Sequence, residues 1–345
     1  MAGYGWVRSF RFTLRNRDRL DMMQRILWKS ALGLLAALCV AGNGSAQSYP
    51  SRPGRIILPA AAGGALDALS RIYGQKMSES WGQPVIVENR AGASGNIAAD
   101  MVAKAAPDGH TYLFISQSFG VNLHLKTDLP YHPVRDFAPV MLVGTTDGVL
   151  LVPPSLAVNS VQDLIAMARA QPGKLSYSST GSGTSGHMNM ALFINLTGIN
   201  IVHVPYKDVA LAQTDLMAGR VQAYIAPLPA FLQFIRAGKM RPLGVTNIRR
   251  NASLPAVPTL QEAGVAGYEA LTWYGLYAPA KTPRDRILRT HGALAKALQH
   301  PDVKERFAAL SVDIVGSTPE YLGQYLKEEI EKWGRVVKAM KLQHE

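Results

Sequence analysis

Apolar runs of strand length alternate with amphipathic helical patterns along nearly the whole chain, and this alternation most restricts what the chain can fold into. Runs at 55–59, 84–88, 112–116, 140–144, 150–152, 175–178, 201–205, 223–226, 243–246 and 273–278 read as strands. Helical patterns separate them. One covers 66–80, where Leu66, Leu69, Ile72, Tyr73 and Met77 recur at three-four spacing and Gly82 supplies a stop. The last helix opens at Ser317-Thr318-Pro319-Glu320, a capping box with proline in the first turn. Its apolar face is Leu322, Tyr325, Leu326, Ile330, Trp333, Val337 and Met340. Such alternation predicts an α/β architecture with parallel sheets. At 345 residues the chain exceeds one compact core, so about two domains of ~150 residues each are expected. No internal repeat or low-complexity linker is present, which predicts a tight join between them.

The composition, 48% hydrophobic and 17% charged with 31 Gly and 21 Pro, is that of a globular protein and excludes disorder, collagen and coiled coil as the main state. The formal charge of +12 is unevenly spread: residues 1–46 hold seven Lys/Arg against two Asp/Glu, which leaves +7 for the remainder. No basic run concentrates that excess, so a solvated basic surface is expected and no nucleic-acid partner.

The N-terminal segment reads as an export signal. Met23-Gln24-Arg25-Ile26-Leu27-Trp28-Lys29 gives a positive start, 31–41 an apolar middle, and Gly44-Ser45-Ala46 a small-x-small end. Eleven apolar residues fall short of the about 20 that span a bilayer. A buried or anchoring helix is the competing reading. The five Arg within residues 1–21 suggest an over-long start, with translation beginning at Met22 or Met23. The sole cysteine, Cys39, lies in the apolar stretch behind Leu38, where a lipid-anchor site would want a small residue. Cleavage near Ala46 would leave a soluble chain with no disulfide and no thiolate, which suits a bacterial periplasm.

Two glycine-rich turns stand out, each between a strand and a helix. The first is Pro59-Ala60-Ala61-Ala62-Gly63-Gly64-Ala65-Leu66-Asp67, and the second runs from Ser178-Ser179-Thr180-Gly181 through Ser182-Gly183-Thr184-Ser185-Gly186-His187. A helix N-terminus carries unpaired N–H groups and a partial positive charge, so it favours anions. Glycines let a ligand approach the backbone, and hydroxyls add donors. Either turn alone could be a plain strand-to-helix connection. Two such turns in an exported chain, neither holding Lys or Arg, point to neutral donors gripping a small anion.

Gly181-x-Gly183-x-x-Gly186 with Asp208 about twenty residues on also fits a dinucleotide fingerprint, which keeps a nucleotide-cofactor oxidoreductase as the alternative. Its place in mid-chain and the export signal speak against it. No Gly-Lys-Ser/Thr phosphate loop exists, and Gly183-Thr184-Ser185-Gly186-His187 lacks the closing glycine of a hydrolase elbow. The eight His are scattered, so no metal is expected. His187 can be a pocket donor or a capping and packing residue. Asp67 is expected to cap its own helix, and Trp273 and Tyr274 to be core.

Taken together, these segments resemble the Bug family of periplasmic solute receptors, the binding subunits of tripartite tricarboxylate transporters. The resemblance covers Tyr49-Pro50-Ser51-Arg52-Pro53, Ala62-Gly63-Gly64-x-x-Asp67, Gly82-Gln83-Pro84-Val85, Val87-Glu88-Asn89-Arg90 and Gly92-Ala93-Ser94-Gly95-Asn96. It continues through Ala105-Ala106-Pro107-Asp108-Gly109, Asp136-Phe137-Ala138-Pro139-Val140, Gly183-Thr184-x-x-His187, Val202-His203-Val204-Pro205-Tyr206-Lys207 and Trp273-Tyr274-Gly275-Leu276. It implies a two-lobed, type II-like Venus flytrap whose lobes are mainly parallel sheets of five strands flanked by helices. Residues 47–147 plus 269–345 would form the first lobe and 148–268 the second, with crossings near Thr146 and Tyr268. It further implies a monomer without cofactor or catalysis that binds a small carboxylate and delivers it to membrane subunits of such a transporter. A ligand-presenting sensor would need the same cleft.

Carried over by position, the first-lobe contacts are Ala62, Gly63, Gly64, Asp67, Ser116 and Gln117. Those of the second lobe are Ser179, Thr180, Gly183, Thr184, His187 and Tyr206. The chain departs from the family pattern at Ala60-Ala61, where Phe-Pro is usual, at Leu66, where Thr is usual, and near Ala226-Pro227, where Asp or Asn is common. The more apolar first turn, with no cation in either turn, predicts an acid lacking an amino group.

Overall fold

The computed structural model describes residues 49–342 together with Trp28, so the export-signal reading, Cys39 and the cleavage site lie outside the described residues. Gly54–Leu58 (β1) is a short apolar strand with Ile56, Ile57 and Leu58 buried, as a central parallel strand requires. It pairs in parallel with Val85–Asn89 (β2) on one side and Thr111–Ser116 (β3) on the other. Helix Ala65–Trp81 (α1) connects β1 to β2 and stops at Gly82, whose φ of 64° lets its N–H reach the Ser78 carbonyl. Asn96–Ala103 (α2) and Ser118–Leu125 (α3) flank β3 in sequence.

A single strand of 16 residues, Phe137–Val152 (β4), occupies the place where two strands, 140–144 and 150–152, are expected. The polar stretch Thr145-Thr146-Asp147-Gly148 reads as a break, yet Thr146, Asp147 and Gly148 find partners and the ladder continues. Thr146 Oγ1 donates to the Ser311 carbonyl, the Thr246 hydroxyl accepts the Gly148 N–H, and the Asp147 carboxylate accepts from Asn247 and Asn251. Burial pushes the Asp147 carboxyl above its ordinary value, against the pull of those two amides.

Residues 137–147 of β4 pair antiparallel with Leu271–Pro279 (β9), which also pairs antiparallel with β3. Residues 148–152 pair instead with Tyr224–Pro227 (β7) and Arg241–Val245 (β8). A two-residue strand, Asp313–Ile314 (β10), too short to leave a sequence pattern, closes the edge against Gly144 and Thr145. Ser176–Ser179 (β5) and Val202–Pro205 (β6) form a separate parallel pair around helix Ser185–Thr197 (α5), and Tyr177 bridges to Ala223. The remaining helices are Val161–Ala170 (α4), Val209–Met217 (α6), Leu232–Arg236 (α7), Arg284–Ala297 (α8), Pro301–Ala309 (α9) and Pro319–Ala339 (α10). The α/β alternation expected from the sequence is thus the observed architecture.

Residues from Pro50 onward pack as one compact unit, and α10 runs through it. Leu322 and Leu326 join a core with Ile57, Phe119 and Trp273, whereas Trp333, Val336 and Val337 join one with Leu150, Tyr177 and Phe193. Thr318, rather than Ser317, caps the helix by accepting the Tyr321 N–H, because the Ser317 hydroxyl is turned to the Leu142 N–H. Between the two apolar stretches sits Glu329, 6% exposed, whose carboxylate accepts from the indoles of Trp273 at 3.1 Å and Trp333 at 2.8 Å. The heptad-like apolar face conceals it because its neighbours on that face are apolar. Among the described residues no helix is long and apolar enough to cross a membrane.

Candidate functional site

The first glycine turn follows β1 and opens α1. Gly63 takes a φ of 94°, which disfavours any side chain. Gly64 is the N-cap and brings no side-chain bond of its own. Asp67 therefore does not cap in the expected way; from the third helical position its Oδ2 reaches back to accept the Gly63 N–H at 3.0 Å. The same carboxylate accepts from Arg71 at 2.9 and 3.1 Å and from Asn89 at 3.0 Å. Asn89, at the end of β2, also donates to the Ala60 carbonyl at 2.9 Å. Burial raises the Asp67 carboxyl, but the bonds from Arg71, Gly63 and Asn89 outweigh it and hold the group below its ordinary value. Ala62, Gly63 and Gly64 are left exposed on a turn braced from beneath, and Leu66 is half-buried beside them.

The second turn joins β5 to α5. Gly181 and Gly183 have φ of 118° and 77°, conformations that glycine alone adopts readily. The Thr184 hydroxyl donates to the Gly181 carbonyl at 2.7 Å, and the Gly181 N–H donates to Ser179 Oγ at 3.0 Å. His187 Nδ1 accepts the Gly183 N–H at 3.1 Å. Its ring stacks on that of His203 in β6 with centroids 4.3 Å apart, and Tyr177 stacks on His203 at 4.9 Å and on His187 at 6.5 Å. His203 Nε2 lies 2.6 Å from Ser179 Oγ.

A third segment brings the turns to one junction. In Gly92-Ala93-Ser94-Gly95 all four residues have positive φ, including 46° at Ala93 and 51° at Ser94, where side chains are strained. The Ser94 hydroxyl donates to the Ser182 carbonyl at 2.9 Å, and the Ser94 carbonyl accepts from Asn122 at 3.0 Å. A Cβ on Gly95 would lie 3.2 Å from Pro59, and one on Gly183 would lie 3.1 Å from Asn122 Oδ1 and 3.2 Å from Leu125. Gln117, directly after the end of β3, reaches Asn189 of α5 at 3.4 Å. Ser116 ends β3, paired with Tyr274. Three buried polar atoms here, Gln117 Oε1, Asn122 Oδ1 and Ser178 Oγ, have no hydrogen-bond partner among the described residues, as befits a polar site.

Other candidates point elsewhere. The Tyr206 hydroxyl donates to Asp215 at 2.8 Å, and burial together with that carboxylate pushes the phenol up to about 12. Thr180, directly after β5, is half-buried. The sequence pattern alone does not single out Asn89, Ser94, Asn122, Asn189 or His203 as contacts. The Gly92-x-x-Gly95 spacing was the one local hint, since the remaining partners meet only through the fold.

The β5–α5–β6 unit has the parallel form a dinucleotide fold would use, and Gly186 permits close packing on Tyr224. Asp208, the acid expected to meet a ribose, is instead the N-cap of α6 and accepts the Leu211 N–H at 2.9 Å. The Gly183 backbone faces α3 at contact distance, where a pyrophosphate would need room. Among the described residues no three His, Cys, Asp or Glu side chains gather as a metal requires. Two surface grooves, of about 780 Å³ beside His124, Arg335 and Lys338 and about 260 Å³ beside Pro139 and Ile287, hold none of the candidate residues. The chemistry available at the junction is that of neutral N–H and O–H donors held in fixed positions.

Residues 69–342 match the family described as a tripartite tricarboxylate transporter family receptor. The chain is 42% identical over 296 residues to the UPF0065 protein in the tcbD-tcbE intergenic region of Pseudomonas sp. (strain P51), covering 86% of this chain and 88% of that protein. It is 37% identical to the protein BugT of Bordetella pertussis, covering 92% of this chain and 97% of that one. Among solved structures, that of R. palustris Rpa4515 with adipate superposes with a TM-score of 0.80 at 34% identity, covering 86% of this chain and 100% of the other.

Proposed function

The chain belongs to the tripartite tricarboxylate transporter receptor family, the Bug proteins, and on that premise we propose that it captures a small carboxylate between its two glycine turns. The family is one of solute-binding receptors rather than enzymes. The observation that supports the proposal is that the Gly92–Gly95 segment meets both braced turns, Gly95 lying against Pro59 and the Ser94 hydroxyl bonding to Ser182. Carboxylate oxygens would accept from the N–H groups of Ala62 and Gly64 on one side and of Thr180 on the other, with Ser116 and Gln117 at the floor; Gly63, Gly183 and Thr184 shape the turns, their own donors held by Asp67, His187 and the Gly181 carbonyl. Asp67, Ser179 and His187 brace the turns, and Tyr206 faces Asp215.

Asp67, occupied by Arg71, Asn89 and Gly63, offers no free acceptor to an ammonium. Diacids without an amino group, of which adipate in the R. palustris relative is one, are therefore the proposed class. The lobes are proposed as residues 47–147 with 269–345, and 148–268, closing on the ligand and handing it, without catalysis, to membrane subunits of the transporter. The site of action is the periplasm, and the protein acts as a monomer.

Calorimetry of the purified protein with succinate, adipate, aspartate, glutamate and NAD(H) tests this. The diacids should bind, and Thr184→Val should weaken them by ~1–2 kcal/mol, roughly ten-fold. Binding of NAD(H) with both diacids silent, or of aspartate and glutamate alone, would overturn it.

A further inference from the structure

We infer that His187 and His203 form a positioning pair that sets the second glycine turn through an imidazole that must be neutral, so that carboxylate affinity falls in acid; this rests on the carboxylate reading above. His187 is 5% exposed and lies four residues beyond Gly183. Its Nδ1 accepts the Gly183 N–H at 3.1 Å, which requires a lone pair on that nitrogen and places the ring proton on Nε2. Gly183 holds a φ of 77°, so the direction of its peptide groups depends on what anchors its N–H. His203 supplies the second anchor, because its Nε2 meets Ser179 Oγ, which in turn accepts the Gly181 N–H. The two rings, 4.3 Å apart at an interplanar angle of 28°, hold each other in place.

A proton on His187 Nδ1 would abolish the acceptor and turn a donor toward the Gly183 N–H. The charge would also lie against the face of His203, so the stacked pair resists carrying two protons. Two phenols pack about the pair: Tyr177 of β5 stacks on both rings, and Tyr224 of β7 packs under Gly186. On the side of α3, Asn122, Leu125 and Val121 face Gly183. Binding is full where the imidazole is neutral and is lost as pH falls through its titration. Apparent affinity should therefore fall between pH 7.5 and pH 5.5 in step with the loss of the neutral imidazole.

Two measurements test the pair. Nitrogen-15 histidine spectra of the unliganded protein should show His187 with an unprotonated Nδ1 at pH 7.5, and the Gly183 amide should lose exchange protection as that ring is protonated. Calorimetry with adipate and succinate from pH 7.5 to 5.5 should show affinity falling in the wild type. His187→Phe keeps the stack but not the acceptor, and should bind roughly ten-fold more weakly at every pH. His187→Asn restores an acceptor near Nδ1 that does not titrate. It should recover to within about three-fold of the wild type at pH 7.5 and show no such fall. A protonated Nδ1 at pH 7.5, or a pH profile shared by the wild type and His187→Asn, overturns the inference. Failure of both diacids to bind the wild type at any pH while the spectra behave as expected would instead count against the carboxylate reading.

Discussion

Replacing Asp67 with alanine strips the first glycine turn of its brace while leaving every proposed ligand-contacting atom in place. The loss can be worked from its partners. The Gly63 N–H loses a charged acceptor at 3.0 Å, an interaction of about 1.5–2 kcal/mol. Asn89 loses one of two acceptors but keeps the Ala60 carbonyl, which limits its cost to about 1 kcal/mol. The Arg71 pair contributes about 0.5 kcal/mol, because the guanidinium is 51% exposed and screened by solvent. The sum is about 3 kcal/mol, read as a lower urea midpoint with an unchanged slope. Asp67→Asn keeps one acceptor oxygen and should lose about half as much.

The pH dependence follows from the depressed carboxyl. Its contribution is complete above the unfolded value of 3.8 and disappears as pH falls through the lower folded value, so the gap between wild type and Asp67→Ala should narrow below pH ~4. Diacid affinity, measured by calorimetry where both proteins are folded, should fall with the loss of the brace. An Asp67→Ala protein as stable as the wild type, or one that binds diacids more tightly, would refute the bracing role and return Asp67 to the ligand.

Gly183→Ala must hold a φ of 77° with a Cβ 3.1 Å from Asn122 and 3.2 Å from Leu125, which should cost about 1–3 kcal/mol in stability and weaken diacid binding; thermal melts and titration read both. Glu329→Leu leaves the buried indole N–H groups of Trp273 and Trp333 without an acceptor, for a loss of about 2–5 kcal/mol in chemical denaturation that Glu329→Gln should largely recover. Intact mass of exported protein should correspond to a chain starting at Gln47 and lacking Cys39; a retained cysteine or a lipid-modified mass would reject that processing.

Periodicity located the strands well because the inner strands are buried on both faces and read as short apolar runs, as Ile56-Ile57-Leu58 does. It failed at β4, where Thr146, Asp147 and Gly148 interrupt the apolar run but are satisfied by Ser311, Asn247, Asn251 and Thr246. Those partners lie about a hundred or more positions away, beyond any local pattern. The two glycine turns were legible for the opposite reason: positive φ at Gly63, Gly181 and Gly183 is a local demand that glycine meets. What braces them was not. Ser94 and Ser182 are 88 residues apart, and Gln117 and Asn189 are 72, so their encounter follows from sheet topology alone. Likewise nothing in the spacing of His187 and His203 announces a stack, since it requires α5 to lie over β6.

A crystal structure of the protein soaked or grown with adipate tests the central claim most directly. The account predicts one ligand at the junction of the two turns, with carboxylate oxygens within hydrogen-bond distance, about 2.7–3.2 Å, of the backbone N–H groups of Ala62 or Gly64 in the first turn and of Thr180 in the second. An adipate lying instead in the groove beside His124, Arg335 and Lys338, with both glycine turns untouched, would contradict it.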